Sequence, residues 1–245
     1  MKLSSYAMRS DQGPHLNLNE DCVDVDLVNN LYMLIDGFGG AGAGDHAAEL
    51  VKKTVKQFFT KVGDDSEATM PFYYSHKYLL EGNALINSMR HAHQLLNEEN
   101  KNKEMNNRGG ASAVAIAFSD NILTCASVGN CMALQYRKGI LNVLASADNF
   151  ELLSGDLYDK KFSTAPLSGF GLFDDLHINL KEARLLTGDQ IILLSDGVYA
   201  RLNLLEIEDI IKKSSLTGQE RIEELFALSN SRGNFDNQSA VILNF

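Results

Sequence analysis

The chain has 245 residues, of which 44% are hydrophobic and 22% charged, as is typical of a globular protein. The net charge is −10 and no run of Lys or Arg is longer than a pair, so we expect no nucleic-acid partner. The chain contains no apolar run as long as a membrane span and no signal-peptide core near its start, so we expect a cytoplasmic protein without membrane contact.

The cysteine and proline content bears on the kinds of site and the number of domains that we expect. The three cysteines, Cys22, Cys125 and Cys131, form no CxxC pair, which argues against a disulfide framework or a zinc site. With 3 Pro and no Ser/Gly/Pro-rich linker, the sequence predicts a single domain over 1–245. Nothing in it indicates an obligate partner, so we expect a monomer.

The first part of the chain predicts strands. Residues 3–8 are consistent with a short strand, and 22–28 alternate apolar and acidic side chains as a half-buried strand does. Asn29-Asn30 would turn the chain into a buried strand over 31–36, so these two strands form a hairpin.

Two helices are predicted next. Apolar residues at helical spacing predict one helix over 45–62 and a second over 75–100, separated by an irregular loop at 63–74. His91 and His93 lie on the second helix without an i, i+4 partner, so a solvent or core role is favoured over metal binding.

The middle of the chain is rich in short apolar segments. Turn signals separate the four segments at 111–118, 122–130, 131–139 and 140–145, and this pattern predicts an antiparallel meander. The irregular residues 148–166 are predicted to form a mobile flap.

The last part mixes strands and helices, which favours α+β layers over a parallel doubly wound sheet. Asn203 with Glu206 and Thr217 with Glu220 are capping-box pairs and predict the starts of two helices. The predicted strands are 176–186, 191–195 and 239–245.

Four carboxylates stand at the ends of predicted strands. Asp36 and Asp196 each follow a buried apolar strand and precede glycine, whereas Asp21 and Asp236 come just before strands. If these strands are antiparallel neighbours, the four carboxylates meet at one rim of a sheet. Each Asp-Gly pair taken alone is more often a simple turn, so the hypothesis depends on the whole set.

Carboxylates that converge repel each other unless a cation lies between them. Mg²⁺ and Mn²⁺ prefer oxygen ligands and retain bound water. Two such ions could activate water for attack on phosphorus. The sequence therefore predicts a divalent-metal hydrolytic site.

Six motifs, in order along the chain, resemble those of the metal-dependent type 2C Ser/Thr protein phosphatases of bacterial type. SDQGPHLNLNED resembles the family's N-terminal NED motif, and DGFGGAGAGDHAA its glycine-rich DGMGG motif. GGASAVAIAF, ASVGNCMALQYRKG, LLTGDQIILLSDGVYARL and FDNQSAVIL resemble the four that follow. One such match is weak, but six in the family's order make chance improbable.

The resemblance implies a four-layer αββα sandwich, two antiparallel sheets flanked by helix pairs. It implies two Mn²⁺ or Mg²⁺ ions and hydrolysis of phosphoserine or phosphothreonine in a protein substrate, without a covalent phosphoenzyme. Asp36, Asp196 and Asp236 would be catalytic, with Asp36 bridging both ions. The metal-binding residues that it implies are Glu20, Asp21, Asp36, Gly37 (through its carbonyl), Asp196 and Asp236.

The chain departs from the family at two positions. Leu16 stands where the family has a phosphate-binding Arg, so Arg9 or His15 is assigned to substrate binding instead. Asn130 stands where bacterial members have an Asp that helps hold a third ion, which makes a third metal site doubtful.

Two function hypotheses follow. The retained acids favour an active phosphatase, whereas Leu16 and Asn130 favour a pseudophosphatase that acts as a regulatory binding module. An esterase is excluded because the sequence has no G-x-S-x-G nucleophile motif.

Overall fold

The computed structural model describes residues 2–40, 42–64, 69–149 and 164–245. Within these ranges it contains ten strands in two antiparallel five-stranded sheets. The first sheet has the order β1-β10-β9-β6-β7 and the second the order β2-β3-β4-β5-β8. No described helix is long and apolar enough to cross a membrane.

The strands are β1 Ser5–Asp11, β2 Asp21–Asp26, β3 Leu31–Gly39, β4 Gly109–Ser119, β5 Ile122–Val128, β6 Met132–Arg137, β7 Ile140–Ala145, β8 Asn179–Arg184, β9 Gln190–Leu194 and β10 Gln238–Asn244. The helices are α1 Ala43–Asp64, α2 Leu80–Asn100, the single turn α3 Asp196–Tyr199, α4 Leu204–Ile211 and α5 Gly218–Ser231, with a 3₁₀ turn at Met105–Asn107.

The layers follow from the two-residue period of the strands. In β3, Leu31, Met33 and Ile35 pack beneath α1 and α2, whereas Tyr32 and Leu34 face the first sheet. This strand is therefore buried on both faces, which explains its unbroken apolar run. A third core packs α4 and α5 on the outer face of the first sheet. The predicted αββα sandwich is confirmed.

Several local predictions are confirmed. β2 and β3 form the expected hairpin, and Asn30 adopts a positive φ of 51° in its turn. Both capping boxes are present, with the Asn203 side chain accepting from the backbone N–H of Glu206 and Thr217 accepting from that of Glu220.

The predicted meander is wrong. β4 and β5 pair in the second sheet, whereas β6 and β7 pair in the first, so the chain crosses between sheets at Gly129-Asn130. β4 and β5 are buried along almost their whole length, and an apolar strand pattern does not determine which sheet a strand joins.

The second helix begins at Leu80 and not at residue 75. The buried amides of Asn83 and Asn87 bind the preceding backbone: the Asn87 Oδ1 accepts from Phe72 and Tyr73, and the Asn83 Nδ2 donates to the Ser75 carbonyl. These side-chain bonds hold the preceding segment in a non-helical conformation.

The predicted flap at 148–166 lies largely outside the described residues. Its two described ends are joined, because Asn149 and Pro166 form an isolated antiparallel bridge and the Leu167 N–H donates to the Asp148 carbonyl at 3.0 Å.

Candidate active site

Two of the predicted carboxylates lie side by side in the second sheet. Asp21, the first residue of β2, is directly opposite Asp36 of β3 in the antiparallel register. Asp36 is two residues after Leu34 and so lies on the same face of β3, the face toward the first sheet. Asp21, its cross-strand partner, lies on that face too, so both carboxylates face the space between the sheets. Asp21 is buried and Asp36 is partly buried.

The other two carboxylates come from the first sheet. Asp196 follows the end of β9, and Asp236 precedes β10, the antiparallel neighbour of β9. The carboxyl groups of Asp36 and Asp196 lie close enough for each to affect the pKa of the other. The four carboxylates therefore meet across the sandwich, two from each sheet, and not along the rim of a single sheet as predicted.

Burial and mutual repulsion make these groups hard to ionise. Burial, followed by the charge on Asp196, raises the pKa of Asp21 to about 8. Burial and the charge on Asp236 raise the pKa of Asp196 to about 7. Burial and the charges of Asp196 and Asp21 hold the pKa of Asp36 well above its ordinary range. A cation among them would relieve this cost.

Glu20 joins the cluster to the start of α1. Its Oε1 accepts from the Gly44 N–H at 3.1 Å, and its carbonyl accepts from the Gly37 N–H at 3.1 Å. A Cβ on Gly37 would lie 2.2 Å from the Gly44 carbonyl oxygen, so only glycine fits there. The glycine-rich stretch thus allows β3, the Glu20 backbone and α1 to approach closely.

Asn130 is buried beside Asp196. Its Nδ2 donates to Asp196 Oδ2 and to the Thr164 carbonyl, each at 3.0 Å. Its backbone is fixed by the Ser112 hydroxyl, which accepts at 3.2 Å, and by the Tyr199 hydroxyl, which donates at 2.5 Å. The amide therefore orients Asp196 and adds no charge to the cluster.

The two residues assigned to substrate binding have different positions. Arg9 lies on the same face of β1 as Ala7, which packs against the outer helices. Its guanidinium pairs with Asp11 at 2.8 Å and lies 5.6 Å from the centre of the Phe226 ring. The structure therefore does not bring Arg9 to the carboxylates. His15 is exposed and stacks on Phe235, the residue before Asp236, at the edge of the cluster.

Asn237 is a site residue that sequence reasoning missed. Its Oδ1 accepts from the Glu20 N–H, and its Nδ2 donates to the carbonyls of Gln12 and Leu18, all at 2.9 Å. It thereby joins the loop that carries Glu20 to the loop that carries Asp236. Its position directly after Asp236 could have indicated this role, because Asn side chains in loops often hydrogen-bond to backbone groups.

The donor set fits a hard cation. Among the described residues, buried oxygens without a hydrogen-bond partner include Asp21 Oδ2, Asp36 Oδ2 and Asn130 Oδ1. Such atoms are costly unless something binds them. In the same part of the chain, no three His, Cys, Asp or Glu side chains already stand at the spacing of a metal site. The fit to a cation rests on these buried oxygens.

Comparison with solved structures finds the same fold in several proteins, some of which are described as Ser/Thr phosphatases. PppA, described as a key regulatory component of T6SS in Pseudomonas aeruginosa, matches with a TM-score of 0.80 and 21% identity over 99% of this chain and 98% of its own. The Mycobacterium tuberculosis phosphatase PstP/Ppp matches with a TM-score of 0.79 and 21% identity over 98% of each chain.

A third structure carries metal. The catalytic domain of the phosphatase PstP in complex with two manganese ions matches with a TM-score of 0.75 and 23% identity over 98% of this chain and 97% of that one. No protein-family model and no curated protein sequence matches the chain. The resemblance predicted from the motifs is thus confirmed for the fold.

Proposed function

We propose that the protein is a metal-dependent phosphoprotein phosphatase that hydrolyses phosphoserine and phosphothreonine with two Mn²⁺ or Mg²⁺ ions. The observation that carries this proposal is the set of buried, unpartnered carboxylate oxygens of Asp21 and Asp36, facing Asp196 and Asp236 across the sandwich. A phosphatase neighbour that holds two manganese ions supports the same proposal.

Asp36, Asp196 and Asp236, with Glu20 and the Gly37 carbonyl, would hold the ions, and Asp21 would support the site beside Asp36. When bound, the ions would supply a water activated for direct attack on phosphorus. No nucleophilic side chain is needed for that attack, so we expect no phosphoenzyme.

The chain's own residues fix the geometry of this chemistry. The Asn130 amide holds Asp196 in place, and Asn237 holds Glu20 and the Asp236 loop together. Because Asn130 is neutral, the pocket carries one negative charge fewer than an aspartate there would give. That is favourable when the incoming group is a phosphate dianion.

The chain offers little positive charge for phosphate near the site, so bound ions would be needed for it. Leu16 is 39% exposed where a guanidinium would have reached the phosphate, and Arg9 is committed to Asp11. The ions would therefore provide most of the positive charge that offsets the phosphate and the chain's net charge of −10.

The alternative is a catalytically weak or inactive pseudophosphatase that serves as a regulatory binding module. Leu16 and Asn130 favour it, because one removes a phosphate ligand and the other an ion ligand. The description of PppA as a regulatory component shows that this fold also occurs in a regulator.

Hydrolysis of a phosphothreonine peptide tests the proposal. We expect phosphate release with Mn²⁺, none with EDTA, and none from Asp196→Asn, whose fold is checked by circular dichroism. Turnover by that variant at the wild-type rate would overturn the assignment. Mn²⁺ binding without any turnover would favour the binding module.

A further inference from the structure

Four side chains lie in the two loops that flank the carboxylate cluster. His15, Leu16 and Leu18 lie in the loop between β1 and β2, and Phe235 lies in the loop before β10. Leu16, Leu18 and Phe235 are 39%, 46% and 54% exposed. The His15 and Phe235 rings stack with centres 5.0 Å apart and planes at 27°. We call these four residues the rim platform.

The rim platform is fixed relative to the cluster. The Asn237 amide donates to the carbonyls of Gln12 and Leu18, which spans the loop that holds the platform. A Cβ on Gly13 would lie 2.2 Å from the Asp236 carbonyl oxygen, so the two loops are in direct backbone contact. A surface held in this way loses little conformational freedom when it binds.

The rim platform offers apolar contact area and contains no Lys or Arg. The loop sequence over residues 12–20 contains neither Lys nor Arg, and the nearby Arg9 is paired with Asp11. An aromatic ring and two leucines bind apolar and aromatic groups through burial and stacking. The chemistry of this surface therefore favours an uncharged, bulky side chain over an acidic one.

The position of the platform defines which group would reach it. Phe235 is adjacent to Asp236, so their Cα atoms are about 3.8 Å apart. An extended peptide advances roughly 3.3–3.6 Å per residue. With a phosphoryl group at the carboxylates, residues within about three positions of the phosphorylated one pass over the loops next to the cluster.

We propose that the rim platform selects phosphopeptides with a bulky apolar or aromatic residue within about three positions of the phosphorylated residue. This inference depends on the proposed function. In this chain, which has Leu16 at the position of the phosphate-binding arginine, Phe235 and Leu16 would contact the residues that flank the phosphorylated one.

Two phosphothreonine peptides of equal length and charge test the inference, one flanked by Leu and Phe and the other by Ser. We expect the wild-type protein with Mn²⁺ to favour the apolar peptide in kcat/KM by about tenfold, the effect of one good apolar contact. Phe235→Ala should remove most of that preference. Leu16→Ala serves as a second variant on the same surface.

Leu205→Ala is the matched control, since Leu205 is 73% exposed on α4, away from the cluster. It should keep the wild-type preference. Equal kcat/KM for the two peptides in the wild-type protein would overturn the inference, as would a preference that survives in both platform variants.

A binding measurement, which does not require hydrolysis, distinguishes failure of this inference from failure of the proposed function. Phosphonate analogues of the two peptides, which cannot be hydrolysed, are titrated with the Mn²⁺-loaded protein and followed by fluorescence anisotropy. Tighter binding of the apolar analogue, lost in Phe235→Ala, supports the rim platform even if no peptide is hydrolysed. Equal binding of the two analogues, including no binding of either, contradicts it.

Discussion

Neutralising one carboxylate of the cluster should make the metal-free protein less sensitive to pH. Asp196 has an ordinary pKa of 3.8, which burial and the charge on Asp236 raise to about 7 in the folded protein. Between these values the folded state holds a proton that the unfolded state has lost. Stability therefore falls as pH rises through this window. Asp196→Asn has no such proton.

The size of the effect follows from the two pKa values. A difference of one in pKa is worth about 1.4 kcal/mol, so the rise from 3.8 to about 7 costs the folded state about 4 kcal/mol above pH 7. Asp36 and Asp21 titrate in the same cluster and share part of that cost. We therefore expect the variant to be more stable than wild type by about 2–4 kcal/mol at pH 8 without metal, and by less at pH 5.

Urea unfolding in EDTA at pH 5, 6, 7 and 8 measures this difference. Wild-type stability should decline across the series more steeply than that of Asp196→Asn, and added Mn²⁺ should restore it in the wild type. Parallel pH profiles for the two proteins would refute the argument, because they would mean that the cluster is ionised at little cost.

Three further changes test other parts of the account. Gly197→Ala should cost about 3 kcal/mol of stability by urea unfolding, because its Cβ would lie 1.9 Å from the Asn237 carbonyl oxygen. Asn130→Asp should lower metal-free stability, since a donor to Asp196 becomes a second acceptor, and calorimetry should show additional Mn²⁺ bound. Thr217→Ala should cost about 1 kcal/mol, the usual value of an N-cap, in the same unfolding assay.

Each of these changes has a control or a contradicting result. A Cβ on Gly63 in α1 would meet nothing within 4 Å, so Gly63→Ala should leave stability equal or slightly higher. Ser215→Ala, at an exposed position before α5, should have little effect beside Thr217→Ala. Unchanged Mn²⁺ stoichiometry in Asn130→Asp would show that the amide does not limit the number of ions.

Local sequence signals predicted the elements that depend on neighbouring residues. The capping boxes at Asn203 and Thr217 and the Asn29-Asn30 hairpin use contacts within a few residues, so their patterns were sufficient. The carboxylates were found because each stands next to a strand end, but the sequence did not show that two come from each sheet and meet across the sandwich.

Features that depend on contacts between distant residues could not be predicted from the sequence in the same way. The chain after β5 could form another strand of the same sheet or cross to the other sheet. Which of the two occurs depends on the Gly129-Asn130 turn. Asn130 is held there by Thr164 and Asp196, 34 and 66 residues away. The direction of Arg9 also depends on which face of β1 meets the outer helices. Sequence alternation gives two faces but not the partner of each.

The dependence of hydrolysis on bound metal tests the central claim most directly. Phosphothreonine-peptide turnover and Mn²⁺ occupancy, the latter from electron paramagnetic resonance, are measured over one titration of the wild-type protein and of Asp36→Asn. We predict that turnover rises with occupancy to two ions per chain, and that the variant loses both. Turnover that persists in EDTA, or in the variant without bound metal, would contradict the claim.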